Sequence, residues 1–310
     1  MKYKYIFGPV NSRRLGISLG IDVLPYKVCS YDCVYCECGL TTDISSVRAN
    51  FFPSDEIIEE LKDYLKNHPK LDFITFSGSG EPTLYSGLGE IIKYLKKEFS
   101  GYRVAVLTNS SIINQIDVQN DLLLADLVVP SIDSVTQDGF AKIVRPDSYI
   151  DLNDILEGLI KFRAIYTGRI VVEIFLIKGI NDTDYEIAQL KKYLEKLKPD
   201  GVQLNSLDRP APLDWVKGYT INEIERISEK FLPIQTQVVY RKKHAENNEK
   251  LDGDIASTIR EIISRRPSTL DDLVYTIGIS HKEITDIISP MLEENIIKIV
   301  KHSNENFYKV

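Results

Sequence analysis

The residues best suited to chemistry in this chain are its four cysteines, which all lie within ten consecutive positions. Cys29, Cys33 and Cys36 form a CxxxCxxC pattern, and Cys38 follows two residues later. A disulfide framework spreads its cysteines so that they join distant segments, whereas this clustering indicates one inorganic site. Three thiolates on a short loop can bind three irons of a four-iron cluster and leave one iron open to a small molecule.

A zinc site is the alternative interpretation of these cysteines. Structural zinc takes four ligands in a closed tetrahedron, often as two separated pairs. Cys38 could be the fourth ligand, but its spacing from Cys36 is tight for that geometry. The chain has no second cysteine pair, and its histidines are scattered, at His68, His244, His281 and His302. We therefore expect an iron–sulfur cluster, with Cys38 as an incidental thiol and only a weak candidate for a catalytic residue.

A glycine-rich turn, Ser79-Gly80-Glu81-Pro82, follows a predicted strand. Small residues let backbone carbonyls approach a ligand closely, and carbonyls accept hydrogen bonds from an ammonium group. A dinucleotide-binding GxGxxG pattern is excluded, because Thr83 stands where the third glycine belongs. Polar residues also end two later strands and predict a ligand cavity, unless they only cap the following helices: Thr108, Asn109, Ser131 and Asp133.

The stretch Cys29-Ser30-Tyr31-Asp32-Cys33-Val34-Tyr35-Cys36 resembles the cluster loop of radical S-adenosylmethionine enzymes, and the glycine-rich turn resembles that family's GGEP motif. The resemblance covers residues 1–240. Residues 7–16 and Cys38-Gly39 are similar to a subgroup of iron–sulfur oxidoreductases related to the wyosine-forming tRNA enzymes.

This resemblance implies two cofactors, a [4Fe–4S] cluster and S-adenosylmethionine. Reductive cleavage of S-adenosylmethionine would give a 5′-deoxyadenosyl radical, which takes a hydrogen atom from a substrate. An electron donor such as flavodoxin or ferredoxin is implied as a partner. The resemblance assigns the cluster to Cys29, Cys33 and Cys36. It assigns the cofactor pocket to Tyr35, Ser79, Gly80, Glu81, Pro82, Thr108, Asn109, Ser131 and Asp133.

The substrate stays open between a small molecule, a peptide and a protein. Arginines near strand ends can hold a phosphate or a carboxylate, although ion pairing within the protein is an equal alternative. Our candidates for substrate binding are Arg13, Arg145, Asn205 and Arg209.

Two other functions compete with this one. The first is a radical tRNA-modifying enzyme, but the chain has no spare cysteines for the additional cluster expected of demethylwyosine synthase. The second is a redox sensor that binds DNA, but a sensor does not need the predicted methionine-binding turn.

The predicted fold is α/β, a partial (β/α)6 barrel of the TIM type over residues 1–240. Near-continuous apolar runs predict buried parallel strands, and the patterns between them predict helices with right-handed crossovers. One helix is predicted over Ser54–Leu65, capped by Ser54, and Thr220 with Glu223 predicts a capping box. The strands are predicted at 71–76, 104–107, 127–129, 170–176 and 202–204.

A polar linker at 241–253 is followed at 254–310 by three helical patterns and two strands, which together predict a winged-helix domain. The domain has seven Lys and Arg against nine Asp and Glu, and Pro290 is expected to interrupt its third helix. A helix that reads a nucleic-acid groove is more basic. A protein-docking or dimerisation role is therefore favoured at least as much as binding to tRNA, and we expect the domain to be separable from the cluster.

Composition excludes several classes. A net charge of −7 over 310 residues argues against a coat for nucleic acid or anionic membranes. Hydrophobic residues make up 43%, enough for a sizeable core, yet no apolar run is long enough to span a bilayer. The first residues lack the apolar stretch of a signal peptide, so we expect a cytoplasmic protein, where thiols stay reduced.

Overall fold

A computed structural model of the chain describes residues 3–12, 14–239, 255–302 and 305–310. The predicted linker at 241–253 and the candidate Arg13 lie outside the described residues. No helix within the described ranges has the length and apolar character to cross a membrane.

The centre of the fold is an eight-stranded sheet. Its order is β1-β2-β5-β6-β7-β8-β9-β10, and every neighbouring pair is parallel except β1 and β2. The strands are β1 (Ile6–Ser12), β2 (Gly16–Ile21), β5 (Phe73–Phe76), β6 (Val104–Thr108), β7 (Leu127–Pro130), β8 (Arg169–Phe175), β9 (Gly201–Asn205) and β10 (Thr236–Val238); β3 (Val28–Cys29) and β4 (Asp43–Ile44) form a separate small pair.

Helices connect the parallel strands. The helices are α1 (Ser54–Leu65), α2 (Leu88–Glu98), α3 (Ile116–Leu122), α4 (Gln137–Val144), α5 (Leu152–Ile165), α6 (Asp184–Leu197) and α7 (Ile221–Lys230), with a short 3-10 helix at Pro82–Leu84. Their apolar faces pack with the sheet into one large core. The five strands predicted from apolar runs are confirmed as β5 to β9, with ends that differ by up to two residues.

A second, smaller core involves Leu15, from the turn between β1 and β2. Leu15 packs with Ala105, Val129 and Val171, which come from β6, β7 and β8. This core is separate from the one that the helices build, so the two faces of the sheet pack against different parts of the chain. The described part of the chain contains seven parallel strands, one more than the six βα units predicted.

The predicted start of α1 is confirmed but its predicted cap is wrong, whereas the predicted cap of α7 is confirmed. α1 begins at Ser54, but its cap position is Pro53, and no side chain caps it. The Ser54 hydroxyl instead accepts a hydrogen bond from the Tyr85 hydroxyl, at 3.1 Å, a tertiary contact that local sequence does not reveal. α7 has the predicted capping box between Thr220 and Glu223.

The C-terminal unit has a core of its own. It contains α8 (Ile255–Arg265), α9 (Leu270–Ile277), α10 (His281–Glu293), β11 (Lys298–His302) and β12 (Glu305–Lys309). Ile259, Leu273, Ile284 and Ile288 are buried at its centre. The strands β11 and β12 pair antiparallel. The predicted interruption of α10 at Pro290 is wrong, because the helix continues through Pro290 to Glu293.

A buried asparagine fixes the chain after β8. The Asn181 side chain is fully buried; it accepts a hydrogen bond from the Ile177 backbone at 2.7 Å and donates to the carbonyls of Asp133 and Phe175, both at 2.8 Å. A buried asparagine with three such partners ties the end of β8 to the segment after β7.

We expect Asn181→Ala to lower the free energy of unfolding by about 3 kcal/mol, because the change leaves buried backbone groups without partners. Urea unfolding monitored by circular dichroism measures this. Asn114→Ala is the matched control; its side chain is exposed, so its cost should stay within about 0.5 kcal/mol. Equal losses in the two variants would contradict the assigned role.

Candidate cofactor site

The cysteines lie on the loop that follows β2, at the carboxyl end of the parallel strands. The β3–β4 pair closes the base of this loop, and turns bring the Cys36 amide to the Cys33 carbonyl, at 3.2 Å. The Val34 amide donates to the carbonyl of Ile143, at the end of α4, at 2.9 Å. Backbone bonds therefore hold the loop at both its base and its tip.

Each of the three predicted cluster ligands is half-buried and has defined surroundings. The Asn109 side-chain amide lies 3.5 Å from the Cys29 sulfur, and the Lys27 ammonium donates to the Cys36 sulfur at 3.1 Å. Burial raises the pKa of the Cys29 thiol to about 12 and also raises the pKa of Cys33. A hydrogen bond from Cys38 lowers the pKa of Cys36, and the charge of Lys27 acts in the same direction.

The donor set fits an iron–sulfur cluster. Three thiols and an adjacent ammonium group are suited to an anionic, sulfur-ligated centre. Within the described ranges, no three histidine, cysteine, aspartate or glutamate side chains are arranged to hold a single metal ion. A four-iron cluster binds each thiolate to a different iron, so its ligands need not surround one point.

The glycine-rich turn packs directly against the cysteine loop. A Cβ atom added at Gly80 would lie 2.0 Å from the Val28 carbonyl oxygen, and one added at Gly78 would lie 2.2 Å from the Asp22 carboxyl carbon. Side chains at either position would push the two segments apart. The close approach places Ser79 and Gly80 beside the residues that precede Cys29.

The Glu81 side chain is structural in this turn. Its carboxylate accepts hydrogen bonds from the Thr83 hydroxyl, the Thr108 hydroxyl and the Asn109 backbone amide, each at 2.6 Å. It also accepts one from the Thr83 backbone amide at 3.0 Å. Burial raises its pKa, and these four bonds oppose the rise. Glu81 and Thr108 therefore join the turn to the end of β6, and both side chains are occupied by protein partners.

Tyr35 and Asp133 form a second polar contact in the pocket. The Tyr35 hydroxyl donates to Asp133 at 2.6 Å, and its ring stacks on Phe175 with centroids 3.9 Å apart. The other Asp133 oxygen accepts from the Phe175 amide at 2.7 Å. Burial raises the pKa of Asp133 to about 6. Ser131 lies nearby, in a bridge with Glu173 of β8.

The candidate substrate residues do not come together. Arg145 lies at the end of α4, where its guanidinium donates to the Asp32 carbonyl at 2.7 Å and pairs with the Asp32 carboxylate. Asn205 donates to Glu173 at 3.1 Å. Arg145 is therefore ion-paired within the protein, and the Asn205 amide has a hydrogen-bond partner within it.

Arg209 lies at a junction with the C-terminal unit rather than in an open barrel mouth. Its side chain is 4% exposed, pairs with Asp272 of α9 at 2.8 Å and donates to the Pro267 carbonyl. Its Nε atom lies 3.5 Å from the carboxylate of Glu37, the residue after Cys36. The guanidinium therefore has protein acceptors on several sides, and the substrate contact expected of Arg209 stays a prediction.

A second junction reaches the glycine-rich turn. The Arg265 guanidinium, at the end of α8, pairs with Asp22 at 2.8 Å and lies over the Phe7 ring at 4.3 Å. The same Asp22 oxygen accepts from the amide and hydroxyl of Ser79, at 3.2 and 3.3 Å. These contacts oppose the expectation of a separable C-terminal module.

A cavity of about 910 Å³ lies between the cysteine loop and the C-terminal unit. Cys36, Cys38 and Ser79 line it on one side, and Arg265 and Arg266 line it on the other. This volume is within the range of small-molecule sites. The Cys38 sulfur also lies 3.8 Å from the Gly78 carbonyl.

Sequence reasoning missed Lys27, Asp22 and Arg265. Asp22 directly follows the end of β2, and the strand-end rule that singled out Asn109 and Asp133 could have found it only if that strand had been predicted. Lys27 is two residues from a predicted ligand, yet lysines are usually exposed. Arg265 and its partner Asp22 are 243 residues apart in the sequence, and no local signal predicts their contact.

Comparisons with known proteins agree with this geometry. The family model described as the radical SAM superfamily matches residues 23–190. A UPF0026 protein from Methanocaldococcus jannaschii is 34% identical over 314 residues, which cover 97% of this chain and 94% of that protein. A Brachyspira hyodysenteriae protein named GTPase Obg is 36% identical over 303 residues; the match covers 96% of this chain but only 44% of that protein's length.

Solved structures show the same fold. A radical SAM methyltransferase from Sphaerobacter thermophilus aligns with a TM-score of 0.55 and 18% identity, over 71% of this chain and 66% of that one. SuiB of Streptococcus suis, solved with bound S-adenosylmethionine, aligns with a TM-score of 0.54 and 12% identity, over 71% of this chain and 50% of that one.

We expect single alanine substitutions of Cys29, Cys33 or Cys36 to abolish iron binding after anaerobic reconstitution, whereas the unchanged chain should hold about four irons and four sulfides. Iron and sulfide assays measure this. Cys38→Ala is the matched control, because it removes a thiol from the same loop, and it should retain the cluster. Loss of iron in Cys38→Ala would overturn the ligand assignment.

Proposed function

The chain belongs to the radical SAM superfamily and to the UPF0026 proteins within it, and from this premise we propose that it is a radical S-adenosylmethionine enzyme. In this proposal Cys29, Cys33 and Cys36 hold a [4Fe–4S] cluster. When bound there, the cluster would supply the electron for reductive cleavage of S-adenosylmethionine to methionine and a 5′-deoxyadenosyl radical, and this radical would abstract hydrogen from a small molecule, peptide or protein.

One observation carries the proposal: the cysteine loop and the glycine-rich turn are in direct contact at the carboxyl end of the sheet. Gly80 packs against the Val28 carbonyl, and Asn109 reaches from the end of β6 to Cys29 and Ser30. Sites in parallel α/β folds lie at this end of the strands. The cysteine loop, as the proposed cluster-binding segment, and the glycine-rich turn, as the proposed binding segment for the methionine ammonium group, are therefore neighbours.

The chain's own residues would orient the cofactor. The Ser79 hydroxyl and the backbone carbonyls of the turn are acceptors for the methionine ammonium group. Glu81 fixes the turn through its four hydrogen bonds rather than by touching the ligand. Tyr35, held by Asp133 and stacked on Phe175, gives the pocket a rigid aromatic wall beside the cluster loop.

The proposed architecture is a partial barrel with a winged-helix domain. Parallel strands in sequential order and a distinct core on one face support a sheet that curls around Leu15. Three helices followed by an antiparallel hairpin support the winged helix, as does the bridge from Ser268 to Tyr308, which adds a third short strand.

We also propose that the C-terminal unit closes the cofactor cavity. Two ion pairs support this: the partly buried pair of Arg265 with Asp22, and the buried pair of Arg209 with Asp272. The unit's balance of seven basic and nine acidic residues does not favour RNA or DNA as its ligand. We also propose an electron donor such as flavodoxin or ferredoxin as a protein partner, because reductive cleavage of S-adenosylmethionine consumes one electron.

We expect the reconstituted protein to release 5′-deoxyadenosine slowly from S-adenosylmethionine when dithionite supplies the electron, even without substrate. Liquid chromatography of the products measures this. Cys33→Ala is the control and should release none, because it lacks the cluster. Formation of S-adenosylhomocysteine without deoxyadenosine would replace hydrogen abstraction with methyl transfer.

We expect Arg265→Gln to weaken S-adenosylmethionine binding about tenfold, or 1.4 kcal/mol, because Asp22 then loses the cation that holds it against Ser79. Equilibrium dialysis on the reconstituted protein measures this affinity. Arg260→Gln is the matched control, since Arg260 is an exposed arginine on the same helix. Affinity that is unchanged in Arg265→Gln would leave the C-terminal unit without a role in the cofactor site.

A further inference from the structure

Lys27 is a buried lysine in the cysteine loop, two residues before Cys29. Its side chain is 1% exposed. Its ammonium donates to the Cys36 sulfur at 3.1 Å, and its carbonyl accepts from the Asp43 amide at 3.2 Å. The backbone bond fixes the residue in the loop, so its side chain points at the cysteines from a defined position.

The surroundings of Lys27 contain thiols instead of carboxylates. Across the described ranges, the ion pairs of the structure join other lysines and arginines to carboxylates, and none joins Lys27 to one. A buried ammonium group needs an anionic neighbour, and the neighbour that this loop offers is a set of three cysteine sulfurs.

We propose that Lys27 is a positioning residue for electron uptake: its ammonium group donates a hydrogen bond to the Cys36 thiolate and raises the reduction potential of the cluster. This inference rests on the proposed function, because it assumes a cluster on Cys29, Cys33 and Cys36. Hydrogen bonds to cluster sulfurs and local charge are recognised determinants of cluster potential.

The redox step is balanced without chemistry at Lys27. One electron passes from an external low-potential donor to the cluster, and the donor is oxidised by one electron. The cluster then carries one more negative charge, while the proton stays on the lysine. A fixed positive charge beside a ligand sulfur stabilises the reduced cluster more than the oxidised one, because the attraction grows with the added charge.

The test is the midpoint potential of the cluster in the full chain, reconstituted anaerobically and titrated without S-adenosylmethionine. Electron paramagnetic resonance follows the reduced form. In Lys27→Met the equilibrium constant for reduction should fall about tenfold, which is a shift of 59 mV to more negative potential for one electron. Lys27→Gln keeps a hydrogen-bond donor but loses the charge, so its midpoint potential should also become more negative. This variant replaces Lys27→Met in the test if Lys27→Met does not hold a cluster.

Lys96→Met is the matched control. Lys96 is a partly buried lysine of α2 that pairs with Asp126, just before β7 at the amino end of the sheet, and its removal should leave the potential unchanged. A potential equal to that of the unchanged protein, in a Lys27 variant with full iron content, would overturn the proposal. Lower unfolding stability with an unchanged potential would assign Lys27 a purely structural role.

The two proposals fail separately. The potential is measured without S-adenosylmethionine, so absence of deoxyadenosine would contradict the proposed function and leave the Lys27 comparison valid. A normal yield of deoxyadenosine with no shift in potential would contradict only the role of Lys27.

Discussion

The contact between the Val28 carbonyl and Gly80 is the constraint on which the rest of the site depends. The Val28 oxygen accepts a hydrogen bond from the Glu81 amide at 3.3 Å, and the absence of a side chain at Gly80 permits the approach. The cysteines can therefore lie next to the turn instead of on a free surface loop. The Glu81 carboxylate also accepts hydrogen bonds from Thr108 and from the Asn109 backbone at the end of β6. The Asn109 side chain in turn lies next to the Cys29 sulfur.

Buried charges at the carboxyl end of the sheet are compensated across segments that are distant in sequence. Asp22 pairs with Arg265 of α8, and Arg209 pairs with Asp272 of α9. Removal of one member of such a buried pair leaves an uncompensated charge, which is strongly destabilising. Ion pairs therefore link the cysteine loop and the segment after β2 to the C-terminal unit.

The sequence indicated the local features well and the tertiary ones poorly. Apolar runs located the strands from β5 to β9, because strands buried on both faces are apolar throughout. The spacing of Cys29, Cys33 and Cys36 indicated one inorganic site, because ligand spacing on one loop is a local property. The predicted cap at Ser54 is wrong because Ser54 is the first helical residue and Pro53 is at the cap position; the Ser54 hydroxyl accepts a hydrogen bond from Tyr85, a residue remote in sequence.

Arginines illustrate the same limit. A guanidinium near a strand end could hold a substrate anion or a protein carboxylate, and only the arrangement of other segments decides between them. Arg145 lies against Asp32 of the cysteine loop, and Arg209 lies between Glu37 and Asp272. Both guanidinium groups thus help to fix the cysteine loop, one at its outer turn and the other next to Cys36. Because Cys36 and Ser79 line one side of the cavity and Arg265 and Arg266 line the other, a molecule that filled it would contact the parallel-sheet unit and the C-terminal unit together.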